Sequence, residues 1–120
     1  MKFREKTLAS GTKFILGKDE ESNDELMGKF RGKGNTILHT VAPGSPFGVI
    51  DNLVFKGDVH AAGVLCARYS QDWRDNKGDV IVNVFTGKDI SKGKGMKIGT
   101  WKVRKSKSIT IKKKEIEKLK

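Results

Sequence analysis

The chain is poor in the residues that most often announce chemistry. It has one cysteine, so no internal disulfide can form, and its two histidines share no zinc-ligand spacing with that cysteine. A reducing cytoplasm is the expected setting. The longest nearly unbroken apolar run, 61–67, falls far short of the ~20 residues a membrane span needs. The first six residues turn polar at once, with no apolar stretch behind them, so neither a signal peptide nor a membrane partner is expected. Only two prolines and no long Gly or Ser tract interrupt the 120 residues, which suits one small domain over 1–120 better than two joined by a linker.

Acidic residues are the other scarcity, and it is local. Twenty-five Lys and Arg oppose fourteen Asp and Glu, for a net charge of +11. Residues 1–87 carry twelve basic and eleven acidic side chains, a net of +1, whereas residues 88–120 carry thirteen and three, a net of +10. Charge gathered on one segment builds a positive potential that attracts polyanions and speeds their association. A lysine run can also be no more than a solvated face. Here the basic residues are interleaved with a strand pattern, which favours a nucleic-acid contact.

Periodicity supplies the elements. Residues 3–8 and 12–16 are short β-like runs around the turn signal Ala9-Ser10-Gly11, so they predict an opening hairpin. Ser22 and Glu25 have capping-box spacing, and Leu26, Met27 and Phe30 give a helix over about 22–31 one apolar side before Gly32-Lys33-Gly34. A strand over 36–41, a rigid turn at 42–46 and a returning strand over 47–53 follow. Asp58 caps the strongest predicted helix, about 58–74, whose Val59, Ala62, Cys66, Tyr69 and Trp73 share one face. Residues 80–85 read as a strand buried on both faces. Residues 98–104 and 108–112 read as a closing hairpin across Lys105-Ser106-Lys107, with Lys102 and Arg104 together on the face away from Trp101. A short basic tail runs over about 112–120. The expected fold class is α+β: a mixed or antiparallel sheet of hairpins packed on two helices.

Enzyme signatures are absent. The stretch Gly28-Lys29-Phe30-Arg31-Gly32-Lys33 is one residue short of a P-loop, and Gly34 follows its lysine where a Ser or Thr would hold magnesium. Gly93-Lys94-Gly95 lacks the third glycine of a dinucleotide site. Cys66 lies on an apolar helix face, where a packed thiol is the usual outcome. Trp73 is either core or a platform for a base. His39 near the Pro43-Gly44 turn has no paired acid or nucleophile to give it a mechanism. A non-catalytic protein without metal or cofactor is expected.

An ordered set of short motifs resembles the NFACT-R family. Gly17-Lys18-Asp19 precedes Asn23-Asp24-Glu25-Leu26. His39 ends a strand, with Pro43-Gly44-Ser45 after it. Ala61-Ala62 leads to Ala67-Arg68-Tyr69-Ser70, Gly99 precedes a strand, and Ser108-Ile109-Thr110-Ile111 resembles the closing strand. The chain departs from the pattern where Asn35 and Ile37 replace the Asp and Trp ahead of the histidine, and where Pro46 replaces a second histidine.

The resemblance implies a small RNA-binding module, with Gly17, Asn23, Leu26, His39, Pro43, Gly44, Tyr69, Ser70 and Gly99 as its motif residues. Larger members are ribosome-associated quality-control factors, so tRNA, rRNA or the ribosome is the implied partner. Lys102, Arg104, Lys105, Lys107, Lys112, Lys113 and Lys114 would neutralise phosphates, and Lys92, Lys94 and Lys97 would follow a backbone. DNA competes as a ligand, because phosphate contacts alone hardly separate the two. The alternative is a protein–protein adaptor that docks on an acidic partner surface.

Overall fold

The computed structural model describes residues 3–41, 45–52 and 54–119. The opening hairpin forms as the sequence predicts: β1 (Phe3–Thr7) runs antiparallel to β2 (Lys13–Gly17), and the Leu8 amide donates to the Thr12 carbonyl across the turn. Helix α1 (Glu20–Phe30) starts two residues earlier than its Ser22–Glu25 spacing suggests. The cap is Asp19, whose carboxylate accepts from the Ser22 amide at 2.8 Å, while Ser22 Oγ accepts from the Asp19 amide at 3.0 Å. Serine therefore takes the inner position of the box rather than the outer one. Strand β3 (Thr36–Thr40) follows, then β4 (Gly48–Ile50), shorter than the expected 47–53. Ala42, Pro43, Gly44 and Leu53, part of the predicted turn and strand, lie outside the described residues.

The long helix expected over 58–74 is two. Helix α2 (Asp58–Arg68) ends at Tyr69, and α3 (Gln71–Asn76) begins after Ser70. Ser70 makes the break: its hydroxyl donates to the Ala67 carbonyl at 2.7 Å and accepts from the Trp73 amide at 3.1 Å, so it closes one helix and caps the next. Nor does Asp58 cap α2, which starts from Gly57; its buried carboxylate instead accepts from Ser10 Oγ at 2.7 Å and from the Phe55 amide at 2.8 Å.

Strand β5 (Val80–Thr86) carries alternating exposure near its start, with Val80 and Val82 buried but Ile81 47% exposed, so it is not sealed on both faces as predicted. The closing hairpin is the largest correction. Its first arm contributes β7 (Lys102–Val103), which pairs with β6 (Ile90–Ser91) in a separate two-stranded sheet. Its second arm is β8 (Lys107–Ile111), which pairs with β5. The turn at 105–107 therefore joins two sheets. The tail continues into α4 (Lys113–Glu117), anchored by the fully buried Ile116.

The main sheet is antiparallel throughout, in the order β1-β2-β4-β3-β5-β8. Period-two alternation sends its side chains into two cores. Phe14, Leu16, Leu38, Ile50, Val82 and Ile111 meet α2, α3 and α4 on one face, with Cys66 and Trp73 among them. Ile15, Ile37, Val49 and Phe85 meet α1 on the other, where Ile90, Trp101 and Val103 bring in the β6–β7 unit. This α+β arrangement matches the class expected. Among the described residues no helix is long and apolar enough to cross a membrane.

Candidate nucleic-acid interface

A cleft of about 460 Å³ opens between α1, the 97–103 arm, the start of β1 and the α2–α3 junction. Five of the motif residues, scattered over 83 positions of sequence, reach its walls: Gly17, Asn23, His39, Tyr69 and Gly99. Leu26 and Ser70 are buried beside it, in the α1 core and at the α2–α3 break. Pro43 and Gly44 fall outside the described residues.

Two of these motif residues build the cleft rather than face a ligand. A Cβ on Gly17 would lie 2.0 Å from Asn23 Oδ1, so only glycine leaves room for that amide. Asn23 Oδ1 then accepts from the Phe47 amide at 3.1 Å, and the Gly17 amide donates to the Phe47 carbonyl at 3.0 Å. Phe47, held at both backbone groups, stacks on His39 with ring centroids 4.1 Å apart. His39 Nε2 lies 3.1 Å from the Ser45 carbonyl, which only accepts, so Nε2 carries the proton. Burial lowers the His39 pKa, the ring is neutral, and Nδ1 is left as an acceptor. The Phe47 stack covers one ring face, and half-buried His39 lines the cleft.

The opposite wall is held by Asp24. Its Oδ1 accepts from Lys92 Nζ at 2.7 Å, from the Gly99 amide at 3.1 Å and from Trp101 Nε1 at 3.1 Å. Lys92 also donates to the Lys97 and Thr100 carbonyls, both at 2.7 Å. The Lys92 ammonium holds the Asp24 carboxyl below its ordinary pKa, with help from the two N–H donors. Gly99, at φ +81°, brings its Cα against Glu20, where a Cβ would meet Glu20 atoms at 3.1 Å. Lys92 thus fastens the arm to α1, and its charge is taken up there.

The other basic candidates do not form one strip. Lys94, Lys97, Lys102 and Arg104 belong to the β6–β7 unit and its connection, on the α1 side of the sheet. Lys112, Lys113 and Lys114 lead into α4, on the α2 side. Lys105 and Lys107 lie where the chain crosses between them. Arg104 approaches Asp89 at 3.4 Å, and Lys112 approaches Asp79 at 3.7 Å. The remaining seven, Lys94, Lys97, Lys102, Lys105, Lys107, Lys113 and Lys114, are exposed and have no carboxylate partner among the described residues.

A further basic group was hidden by the near-neutral sum over residues 1–87. The Arg4 guanidinium lies 4.2 Å from the centroid of the Tyr69 ring, with Lys6 Nζ at 5.7 Å and the Arg68 guanidinium at 5.8 Å. Arg74 donates to the Tyr69 carbonyl at 3.2 Å and to Gln71 Oε1 at 2.8 Å. None of the four meets a carboxylate among the described residues. The signal available in sequence was the Arg68-Tyr69 pair inside the motif Ala67-Arg68-Tyr69-Ser70. Trp73, the aromatic weighed for stacking, is buried in the α2 core instead.

No curated protein matches the chain. Among solved structures it is similar to the C-terminal part of the fibronectin/fibrinogen-binding protein of Streptococcus suis, at 27% identity and a TM-score of 0.82, over 100% of this chain and 49% of that one. The chain thus spans about half the length of that structure. The family described as "NFACT protein RNA binding domain" matches residues 4–101, taking in both walls of the cleft and every described motif residue. The chain belongs to the NFACT RNA-binding domain family.

Proposed function

We propose that this chain is a non-catalytic RNA-binding module for structured RNA, tRNA or rRNA, in the setting of the ribosome. Membership of an RNA-binding domain family carries the reading, and the exposed lysines of residues 94–114 supply the chemistry. Each is a mobile point charge suited to a phosphate, and such contacts position the nucleic acid without reading its sequence. Lys92 is set apart from them, because Asp24 already holds it.

If about four to six phosphates are neutralised, the log–log dependence of affinity on salt has a slope on the order of −3 to −5. Fluorescence anisotropy with a labelled RNA hairpin at several salt concentrations measures it. The Lys112→Glu, Lys113→Glu, Lys114→Glu triple variant is expected to weaken binding and flatten the slope. Unchanged binding removes the α4 group from the contact surface, and a slope near zero in the wild-type protein removes the phosphate mechanism. The same titration with the DNA equivalent compares the two ligands.

A second reading has its own support in the structural neighbour, a fibronectin/fibrinogen-binding protein. The exposed cations would then dock on an acidic protein surface. A stoichiometric protein partner that survives nuclease treatment, with weak affinity for naked RNA, is the result that favours it.

A further inference from the structure

We propose that the cleft receives one unstacked nucleotide of the bound RNA, its phosphate held by Arg4 and Arg74 beside Tyr69 and its base laid against the His39–Asn83 floor. This deepens the RNA-binding reading and rests on it. Its volume, about 460 Å³, lies in the range of small-ligand clefts rather than of flat phosphate-tracking surfaces.

The two ends of the cleft differ in charge. At the Tyr69 end, Arg4 and Arg74 line the cavity, while Lys6 and Arg68 flank the same ring. Arg74 is already aimed by its bonds to the Tyr69 carbonyl and Gln71, so little side-chain freedom is lost when an anion arrives. At the α1 end Lys18 stands with two carboxylates, Asp19 and Glu20, and Asp19 is spent on capping its helix. A phosphate therefore belongs with the arginines.

The floor offers one donor and one acceptor side by side. His39 and Asn83 are direct cross-strand partners of β3 and β5, which places their side chains roughly 5 Å apart on one face. Asn83 Oδ1 accepts from Ser108 Oγ at 2.9 Å, so its amide hydrogens remain to donate. His39 Nδ1 remains to accept, since Nε2 is committed to Ser45. The edge of a nucleobase carries both a donor and an acceptor and complements this pair. Within an A-form duplex the Watson–Crick edges are paired and the major-groove edges lie too deep for side chains to read, so a base that enters the cleft to meet this pair is a splayed or terminal one.

The test uses the full chain and two labelled RNAs, a blunt hairpin and the same hairpin with an unpaired 3′ tail, followed by anisotropy. The tailed RNA is expected to bind about tenfold more tightly, within the range found for one base on an aromatic site. Arg4→Gln and Asn83→Leu, made separately, are each expected to bring tailed binding down to the blunt level. Titration of uridine or adenosine monophosphate into 15N-labelled wild-type protein is the measurement that needs no variant, and it is expected to shift the amides of Gly17, His39, Tyr69 and Asn83. Equal affinity of the wild-type protein for both RNAs, discrimination that survives both substitutions, or shifts confined to the exposed lysine loops would overturn the cleft assignment alone. Failure to bind either RNA at low salt would overturn the RNA reading and the cleft with it.

Discussion

Replacing Asp24 with alanine removes the carboxylate that joins α1 to the 97–101 arm. Three donors lose it: Lys92, which keeps two carbonyls, and the Gly99 and Trp101 N–H groups, which have no other acceptor among the described residues. An intramolecular hydrogen bond contributes about 0.5–1.5 kcal/mol net. The Asp24 and Lys92 side chains are 32% and 22% exposed, so their ion pair is discounted to no more than about 1 kcal/mol. Together these give about 2–3 kcal/mol. With an unfolding entropy of ~2.1 cal/mol/K per residue, a chain of 120 residues melts lower by about 8–12 °C for that loss. Calorimetry reads the shift, and hydrogen exchange locates it, because protection of the Gly99 amide should fall by roughly thirtyfold or more. The pH dependence adds a check of sign. Lys92 lowers the Asp24 pKa in the folded state, so the carboxylate stabilises the fold above the ordinary value of 3.8. That contribution is lost as pH falls through the lowered folded value, so the gap between wild type and Asp24→Ala must close in acid. A melting shift within about 2 °C, with Gly99 protection unchanged, would refute the latch.

Three other outcomes follow from packing. Gly87→Ala should destabilise by about 3 kcal/mol in urea titration, because its Cβ would lie 1.9 Å from the Phe30 carbonyl oxygen and 2.6 Å from that of Lys33, backbone atoms that cannot swing aside. Ile116→Ala should cost about 2–5 kcal/mol, since this side chain is fully buried and carries α4 into the α2 core, whereas Lys114→Ala, exposed on the same helix, should leave the midpoint unchanged. Cys66 is fully buried with its thiol pushed up to about 12, so Ellman's reagent at pH 8 should label it only as fast as the protein opens; prompt labelling of the folded protein would contradict the packed core.

What could be read from the sequence was whatever local pattern decides. The opening hairpin has a turn signal between two β runs, and its register follows from Phe14 and Leu16 facing inward. Ile15 was not legible in the same way, because a second helical layer covers the other face and buries it too. Alternation at 98–104 correctly put Trp101 and Val103 inward, yet the partner strand was not the next one along the chain. Nearest-neighbour pairing is the default for a hairpin, but here Arg104 N–H donates to Asp89 O and Ile90 pairs with Val103, a long-range choice that no local signal encodes. Ser70 shows the converse. A serine within an apolar helical pattern looks like a tolerated polar residue, and its capacity to close one helix and cap another appears only when the chain turns there.

The same limit governs the candidate site. Summing charge along the chain finds residues 88–120, because that excess is contiguous in sequence, and it misses Arg4, Lys6, Arg68 and Arg74, because acids elsewhere in residues 1–87 cancel them in the sum without meeting them in space. Once folded, the order of importance changes. Lys92 leaves the set of free cations, the rest of the basic quarter divides between the two faces of the sheet, and the scattered four assemble at Tyr69, three around its ring and Arg74 at its carbonyl. Screening over a Debye length of roughly 8–10 Å means that only charges close in space reinforce one another at physiological salt. A polyanion passing along one face therefore meets the cations of that face, and the motif residues, five of which the fold gathers at the cleft, decide where a shaped site accompanies the charge.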